Sequence, residues 1–382
     1  MRISRRGQVA PFQVMDVLST ANALALSGET VFHLEAGEPG GPMPVRVREA
    51  AERALADQRI GYTEPLGLPA LRSRIAAYYG ERYDCDVAPS RVVITAGASA
   101  GFILAFLAAF DVGDRVAAGV PGYPAYTNIL EVLGLEAVAL TTTSHTRFQP
   151  TARQLETAHD LAGVIVQSPA NPSGTMLTAS ELADLCGTAR DRDIAFISDE
   201  IYHGITFGAP AETALRHYDE AIVINSFSKY FCMTGWRIGW MVAPEALVRP
   251  IECLAQNLFI SPNALSQYAA LGAFEADDEL QARVEHYRQN RDILLNALNG
   301  VGIGDIVVPD GGFYLYCDVS HFTNDSEAFC KILLRETGVA TTPGTDFDRV
   351  EGRRTLRLSF AGDTASVTGA ASTLRAWLSA HM

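Results

Sequence analysis

Lysine is nearly missing from this chain. Of 30 basic residues only Lys229 and Lys331 are lysines, and the other 28 are arginines. Covalent chemistry through a side-chain amine therefore has two addresses. Positive charge is also in deficit, since 44 Asp and Glu residues set the formal net charge at −14. Nucleic-acid binding draws on concentrated positive charge to displace counterions, so DNA and RNA are not expected partners. Long apolar runs are absent too. The longest, Phe102 to Phe110, falls far short of the roughly 18 residues of a membrane span. No apolar core follows the basic start Met1-Arg-Ile-Ser-Arg-Arg6, so it does not read as a signal peptide. The six cysteines (85, 186, 232, 253, 317 and 330) form no CxxC pair and no framework spacing. They suit separate thiols of a reducing cytoplasm. The eight histidines form no HxxxH or HExxH pair, so no metal site is expected.

What is present is 382 residues, 48% hydrophobic and 19% charged. That is more than one minimal core accommodates, which suggests a single large domain with an appendage, or two domains. Between about residues 91 and 243, short apolar runs alternate with helical patterns. The strand-like runs are Val92–Thr95, Arg115–Ala118, Val164–Gln167, Ile194–Ile197, Ile222–Ile224 and Ile238–Val242. Amphipathic stretches separate them: Ser99 to Phe110, Tyr126 to Leu133, and Thr178 to Arg192, the last opened by the capping-box form Thr178-Ala-Ser-Glu181. Such alternation predicts βαβ units and an α/β fold, with a mainly parallel sheet flanked by helices. Past residue 245 the pattern turns to long helices, the best being Asp277 to Leu298. Strands at Phe313–Cys317 and Leu356–Phe360, with helices at Asp325–Glu336 and Ala365–Ala380, then predict a smaller α+β unit. The turn cluster Gly37-Glu-Pro-Gly-Gly-Pro42 is expected to pack on that unit or between the two.

Ligands of open parallel sheets bind beyond the carboxyl ends of the strands. The residues there are Ser168-Pro-Ala-Asn-Pro-Ser-Gly174, Ser198-Asp-Glu-Ile-Tyr202 and Asn225-Ser-Phe-Ser-Lys229. Asn171, Asp199 and Lys229 are 28 and 30 residues apart, about one βα unit each time. That spacing aligns an amide, a carboxylate and an amine along one sheet edge. Lys331 sits in an amphipathic helix and reads as a solvated surface residue. The turn Thr95-Ala-Gly-Ala-Ser-Ala-Gly101 follows a strand and opens a helix, where small residues let backbone N–H groups approach an anion. It matches neither GxGxxG nor a Walker loop. With Arg237 as a fork for phosphate oxygens, a monophosphate suits it better than a dinucleotide.

In this order, the motifs Ser-Pro-x-Asn-Pro-Ser-Gly, Ser-Asp-Glu-Ile-Tyr and Ser-Phe-Ser-Lys, with Arg eight residues on, resemble class I/II aminotransferases. These are the aspartate aminotransferase-like, fold-type I enzymes that use pyridoxal 5′-phosphate. The resemblance runs from about Val31 to Phe360 and implies a large cofactor domain (41–283) and a small substrate-closing domain (1–40 and 284–382). It implies that Lys229 carries the cofactor and moves the proton between the substrate Cα and cofactor C4′. Asp199 would pair with the pyridine nitrogen, and Asn171 and Tyr202 with the phenolic oxygen. Ala98, Ser99, Ser226, Ser228 and Arg237 would hold the phosphate, and Tyr123 would stack on the ring. Gly37, Asn171 and Arg357 would grip the substrate α-carboxylate. Arg357 lies near Arg353 and Arg354, and a solvated edge-strand arginine is the plainer alternative. Tyr62 matches a tyrosine reaching the neighbouring subunit's phosphate, implying a homodimer with shared sites; a core tyrosine near a turn is its alternative. Where some aspartate-specific members have a lysine beside the phosphate turn, this chain has Ser99, which weakens an aspartate-only assignment.

The resemblance thus implies a cytoplasmic transaminase acting by a ping-pong mechanism on L-amino acids and 2-oxo acids. A C–S β-lyase on the same scaffold would share every cofactor contact. A non-enzymatic pyridoxal-phosphate-sensing module would want an attached DNA-binding domain and a basic patch, and no such patch is evident.

Overall fold

The computed structural model describes residues 2–304 and 306–382. Its centre is a seven-stranded sheet of β1 (Val92–Thr95), β2 (Arg115–Val120), β3 (Glu136–Thr141), β4 (Gly163–Gln167), β5 (Ala195–Asp199), β6 (Ile222–Ser226) and β7 (Gly239–Val242). The spatial order is β1-β7-β6-β5-β4-β2-β3, and β7 alone runs antiparallel to its neighbours. Successive residues of a strand face opposite sides, and here they feed two cores. Ile94, Val164, Val166, Phe196, Val223 and Trp240 point into one. Val93, Val116, Ile165, Ile197, Ile222 and Met241 point into the other. Each fully buried side chain of this kind contributes about 1.5–3 kcal/mol, which is why the strands read as uninterrupted apolar runs.

The expected parallel α/β architecture is therefore present, with one strand added. The sequence Glu-Ala-Val-Ala-Leu-Thr of β3 gave no strand signal because β3 is an edge strand, exposed at Glu136, Ala139 and Thr141. The helix Ala179–Asp191 opens on the expected box: Thr178 Oγ1 accepts from Glu181 N–H, and Glu181 Oε2 accepts from Thr178 N–H at 2.8 Å.

A second, antiparallel sheet comprises β8 (Tyr314–Asp318), β9 (Thr342–Pro343) and β10 (Thr355–Ser359), with β10 in the middle. The two-residue strand Phe32–His33 pairs in parallel with Val339–Ala340. Beyond it, Gly40 N–H bonds the Ala361 carbonyl at 3.0 Å, and Arg283 bonds the Gly40 carbonyl. The Gly37–Pro42 cluster thus lies between the second sheet and the long helix Asp277–Leu298. That helix begins with Asp277, Asp278 and Glu279, which complement its N-terminal dipole.

Asn290 fastens this helix to the end of β10. Fully buried, it donates through Nδ2 to the carbonyls of Phe360 (3.0 Å) and Gly362 (2.8 Å), and its Oδ1 accepts from Thr364 Oγ1 at 2.8 Å. Asn290→Ala leaves the buried Phe360 carbonyl without this donor. It is expected to cost about 2–4 kcal/mol, measured as a lower denaturant midpoint at unchanged m-value.

Candidate active site

The carboxyl ends of β4, β5 and β6 are neighbours, so Gln167, Asp199 and Ser226 and the loops after them converge on one sheet edge. Asp199 is fully buried. Its Oδ2 accepts the Tyr126 hydroxyl and Gln167 Nε2 (2.7 Å), and Oδ1 accepts Ile201 N–H (3.1 Å). Burial pushes this carboxyl up to about 6 despite those donors and the Lys229 charge, all of which pull it down. Gln167 Oε1 also accepts Asn171 N–H at 2.7 Å, so one amide positions both Asp199 and the Asn171 loop. Neither Tyr126 nor Gln167 was singled out in the sequence. The available signals were the strand-end place of Gln167 and the place of Tyr126 at the start of the amphipathic stretch Tyr126 to Leu133.

Lys229 Nζ donates to the Gly37 carbonyl at 2.6 Å. Desolvation pushes its amine down to about 8, and the nearby Arg357 guanidinium adds to the shift. Lys331, by contrast, is exposed on the helix Ser326–Thr337. Arg357 is only 4% exposed and lies on the central strand β10, which removes the solvated edge-strand alternative. Its Nη1 donates to Asn171 Oδ1 at 3.0 Å, and Nη2 to the Glu35 carbonyl and to Thr342 Oγ1 (3.2 Å). The guanidinium carbon lies 4.3 Å from the ring centroid of Tyr314 and 4.8 Å from that of Phe347. At Gly37 a Cβ would fall 1.9 Å from the Tyr314 hydroxyl, so only glycine lets this segment pass. Tyr202 is buried in the same cluster, and its hydroxyl pairs with that of Tyr314 at 2.9 Å.

An anion cradle adjoins this group. The helix Gly97–Ala109 begins with no side-chain cap on its first-turn N–H groups, and such an N-terminus favours negative charge. Gly97 has φ +75°, and a Cβ there would sit 2.5 Å from Arg237 Nη2. The bare backbone thus lets the guanidinium close on the helix end that includes Ala98 and Ser99. Arg237 Nη1 donates to the Thr234 carbonyl (3.0 Å) and Ser228 Oγ (3.4 Å), and Ser226 Oγ lies 3.0 Å from Ser228 Oγ. Tyr123 is half-buried, edge-on to Tyr126 at 5.3 Å and to Phe12 at 5.7 Å between ring centroids. Tyr62 stands apart. It is 84% exposed, so it is no core tyrosine. Thr63 N–H bonds Ser261 Oγ at 3.4 Å, which sets exposed Ile60 and Tyr62 beside exposed Phe259 and Ile260. Among the described residues, no helix is long and apolar enough to cross a membrane.

The shift on Lys229 makes a test. Removing the Arg357 charge in Arg357→Met should raise the amine from about 8 toward ordinary lysine. The pH dependence of Lys229 modification by a small acylating reagent, followed by mass spectrometry, reads this directly because Lys331 is the only other lysine. An unchanged profile would refute the coupling.

Comparison with known proteins bears on the same residues. The profile of the family described as aminotransferase class I and II matches residues 29–374. A valine–pyruvate aminotransferase of Mycobacterium tuberculosis is 47% identical, over 99% of this chain and 98% of its own length. The crystal structure of an aminotransferase from Mycobacterium tuberculosis superposes with a TM-score of 0.97 at 45% identity, covering 100% of both chains. That of the aspartate aminotransferase of Thermus thermophilus with maleate gives 0.93 at 31% identity, covering 98% of this chain and 100% of that one. A match that spans both sheets and every strand end described above settles the family: the chain belongs to the class I and II aminotransferases, and it is an enzyme that transfers amino groups between amino acids and 2-oxo acids.

Proposed function

We propose that this chain binds pyridoxal 5′-phosphate at Lys229 and passes an amino group from an L-amino acid to a 2-oxo acid in two half-reactions at one site. The carrying observation is the convergence, at one sheet edge, of a buried carboxylate, an amine of lowered basicity and an uncapped helix end closed by Arg237. Those groups fit the cofactor's ring nitrogen, aldehyde and phosphate in turn. In this reading Ala98, Ser99, Ser226, Ser228 and Arg237 hold the phosphate, Tyr123 covers the ring, and Asn171 and Tyr202 face its phenolic oxygen. When bound, the cofactor supplies an electron sink for charge developing at the substrate Cα.

The protein's own contribution follows from its electrostatics. With a carboxyl near 6, Asp199 is ionised at neutral pH and can hold a proton on the ring nitrogen opposite. With an amine near 8, Lys229 has a useful neutral fraction and can take and return the Cα proton. The Arg357 fork, flanked by two rings, suits a bidentate grip on the substrate α-carboxylate, with Gly37 and Asn171 beside it. Residues 41–283 then carry the cofactor, while 1–40 and 284–382 bring Gly37 and Arg357 to the substrate. The exposed Tyr62 and its apolar neighbours support a homodimer in which Tyr62 reaches the partner's phosphate, and the free cysteines suit a cytoplasmic location. A small neutral donor with a pyruvate-like acceptor is favoured by the valine–pyruvate relative and by neutral Ser99 beside the phosphate turn.

A donor panel tests this reading. Valine and alanine should convert the cofactor to its amine form faster than aspartate, with reversal by pyruvate. Release of pyruvate and ammonia from a cysteine conjugate, without that conversion, would mean a β-lyase. In Lys229→Ala, borohydride should no longer fix cofactor to the chain, and turnover should fall at least ~10²–10⁴-fold. Light scattering should give a dimer, and Tyr62→Ala should weaken cofactor retention; a fully active monomer would refute the shared site.

A further inference from the structure

Behind the strand end that carries Asp199 lies a closed polar cluster of Glu200, His203 and Tyr83, all buried, to which the roles above assign nothing. Glu200 Oε1 is well supplied, accepting from Ser198 Oγ (3.0 Å), Thr213 Oγ1 (2.9 Å) and Ala214 N–H (3.0 Å). Its Oε2 accepts no hydrogen bond among the described residues and lies 3.4 Å from His203 Nδ1. His203 Nε2 lies 3.0 Å from the Ser168 carbonyl, which can only accept, so that nitrogen carries hydrogen. His203 Nδ1 lies 2.9 Å from the Tyr83 hydroxyl, which can donate to it. These contacts describe a neutral imidazole in its Nε2–H form.

The three donors on Oε1 favour an ionised Glu200, but the surroundings offer it no cation and nothing for Oε2 among the described residues. The helix Pro69–Tyr83 presents Tyr78, Tyr79 and Tyr83, whose phenols burial keeps neutral. Cys85 and Cys186 are likewise thiols raised by burial. Asp199 is the adjacent charge of the same sign, and exposed Arg82 acts on His203 without bonding Glu200. A buried carboxylate with one bare oxygen and no cation is costly, and neutralisation is the usual escape. In keeping with that geometry, burial pushes Glu200 up to about 8 and His203 down to about 3.

We propose that Glu200 is a positioning residue: a carboxylic acid, protonated on Oε2 at neutral pH, that keeps His203 in the Nε2–H form holding the Ser168 carbonyl and the loop that bears Asn171. Ionisation reverses the demand. The Oε2 proton leaves to solvent, and the bare carboxylate needs a donor at Nδ1. The imidazole, still neutral, then exchanges its Nε2 hydrogen for one on Nδ1. That leaves the Nε2 lone pair against the Ser168 carbonyl, and the loop loses one of its anchors, with Gln167 and Arg357 still holding Asn171. The consequence for substrate binding rests on the role proposed above for Asn171.

The test follows the ring nitrogens of ¹⁵N-histidine-labelled full-length protein, with and without pyridoxal 5′-phosphate, from about pH 6 to 9. A His203→Gln variant assigns the signal. Wild type should show Nε2–H at neutral pH and shift to Nδ1–H above about 8, whereas Glu200→Gln should keep Nε2–H throughout. In parallel, the wild-type KM for the amino donor should rise about 3–10-fold across that shift at nearly constant kcat, and Glu200→Gln should abolish the rise. An imidazolium or an Nδ1–H form in neutral wild type overturns the proposal, as does an identical KM profile in Glu200→Gln. The nitrogen signal is read without cofactor as well, so failure of the cofactor assignment would leave it in place and remain distinguishable.

Discussion

Burying the Asp199 carboxylate at the end of β5 is the constraint around which the rest of the site is arranged. A desolvated charge of this kind persists only with donors in place, and here they come from three directions: the β4 strand end, the helix that bears Tyr126, and the turn after β5 itself. Gln167 sits beside Asp199 because β4 and β5 pair in parallel register. The same Gln167 reaches Asn171, and Asn171 receives Arg357 from the second sheet. One carboxylate is thereby connected through two amides to a guanidinium on another element. An error in strand register would break all of it at once.

Charge of opposite sign is gathered around that carboxylate within a strongly acidic chain. Lys229 loses basicity chiefly through desolvation, with Arg357 and Arg237 lowering it further and Asp199 opposing them. These opposing influences leave the amine near 8 and the carboxyl near 6, a pairing in which acid and base states are both reachable around neutral pH. The formal charge of −14 is a sum over the whole chain and carries no information about how this interior is arranged.

Much of this was legible in the sequence because parallel strands announce themselves as apolar runs and their carboxyl ends follow at fixed places. Asn171, Asp199 and Lys229 were found by that spacing, and Arg237 by its company. Tyr126 and Gln167 were not, since a helix-face tyrosine and a strand-end glutamine look like ordinary residues until register brings them to Asp199. The strand β3 escaped because an exposed edge lacks the two-sided burial that makes the others visible. Glu200 lay inside, and His203 directly after, a motif read for Asp199 and Tyr202. Their burial and the bare Oε2 are facts of packing that no spacing encodes.

The two sheets divide the work in a way that explains the contacts between them. Lys229 and Asn171, from the large sheet's edge, bond Gly37 and Arg357, from the segments around the small sheet. Buried donors need acceptors whether or not a ligand is present, and these bonds satisfy Lys229 and Arg357 with groups that lie where a substrate carboxylate would bind on the proposed reading. The exchange is economical, because a carboxylate replaces neutral acceptors with a charged one and strengthens each bond it takes over. Arg357 Nε, buried without a partner among the described residues, marks the side of the guanidinium from which such a gain is available. Binding energy for the substrate is thus drawn from interactions that the protein holds at reduced strength beforehand. The flanking rings of Tyr314 and Phe347 keep the fork from turning away in the meantime.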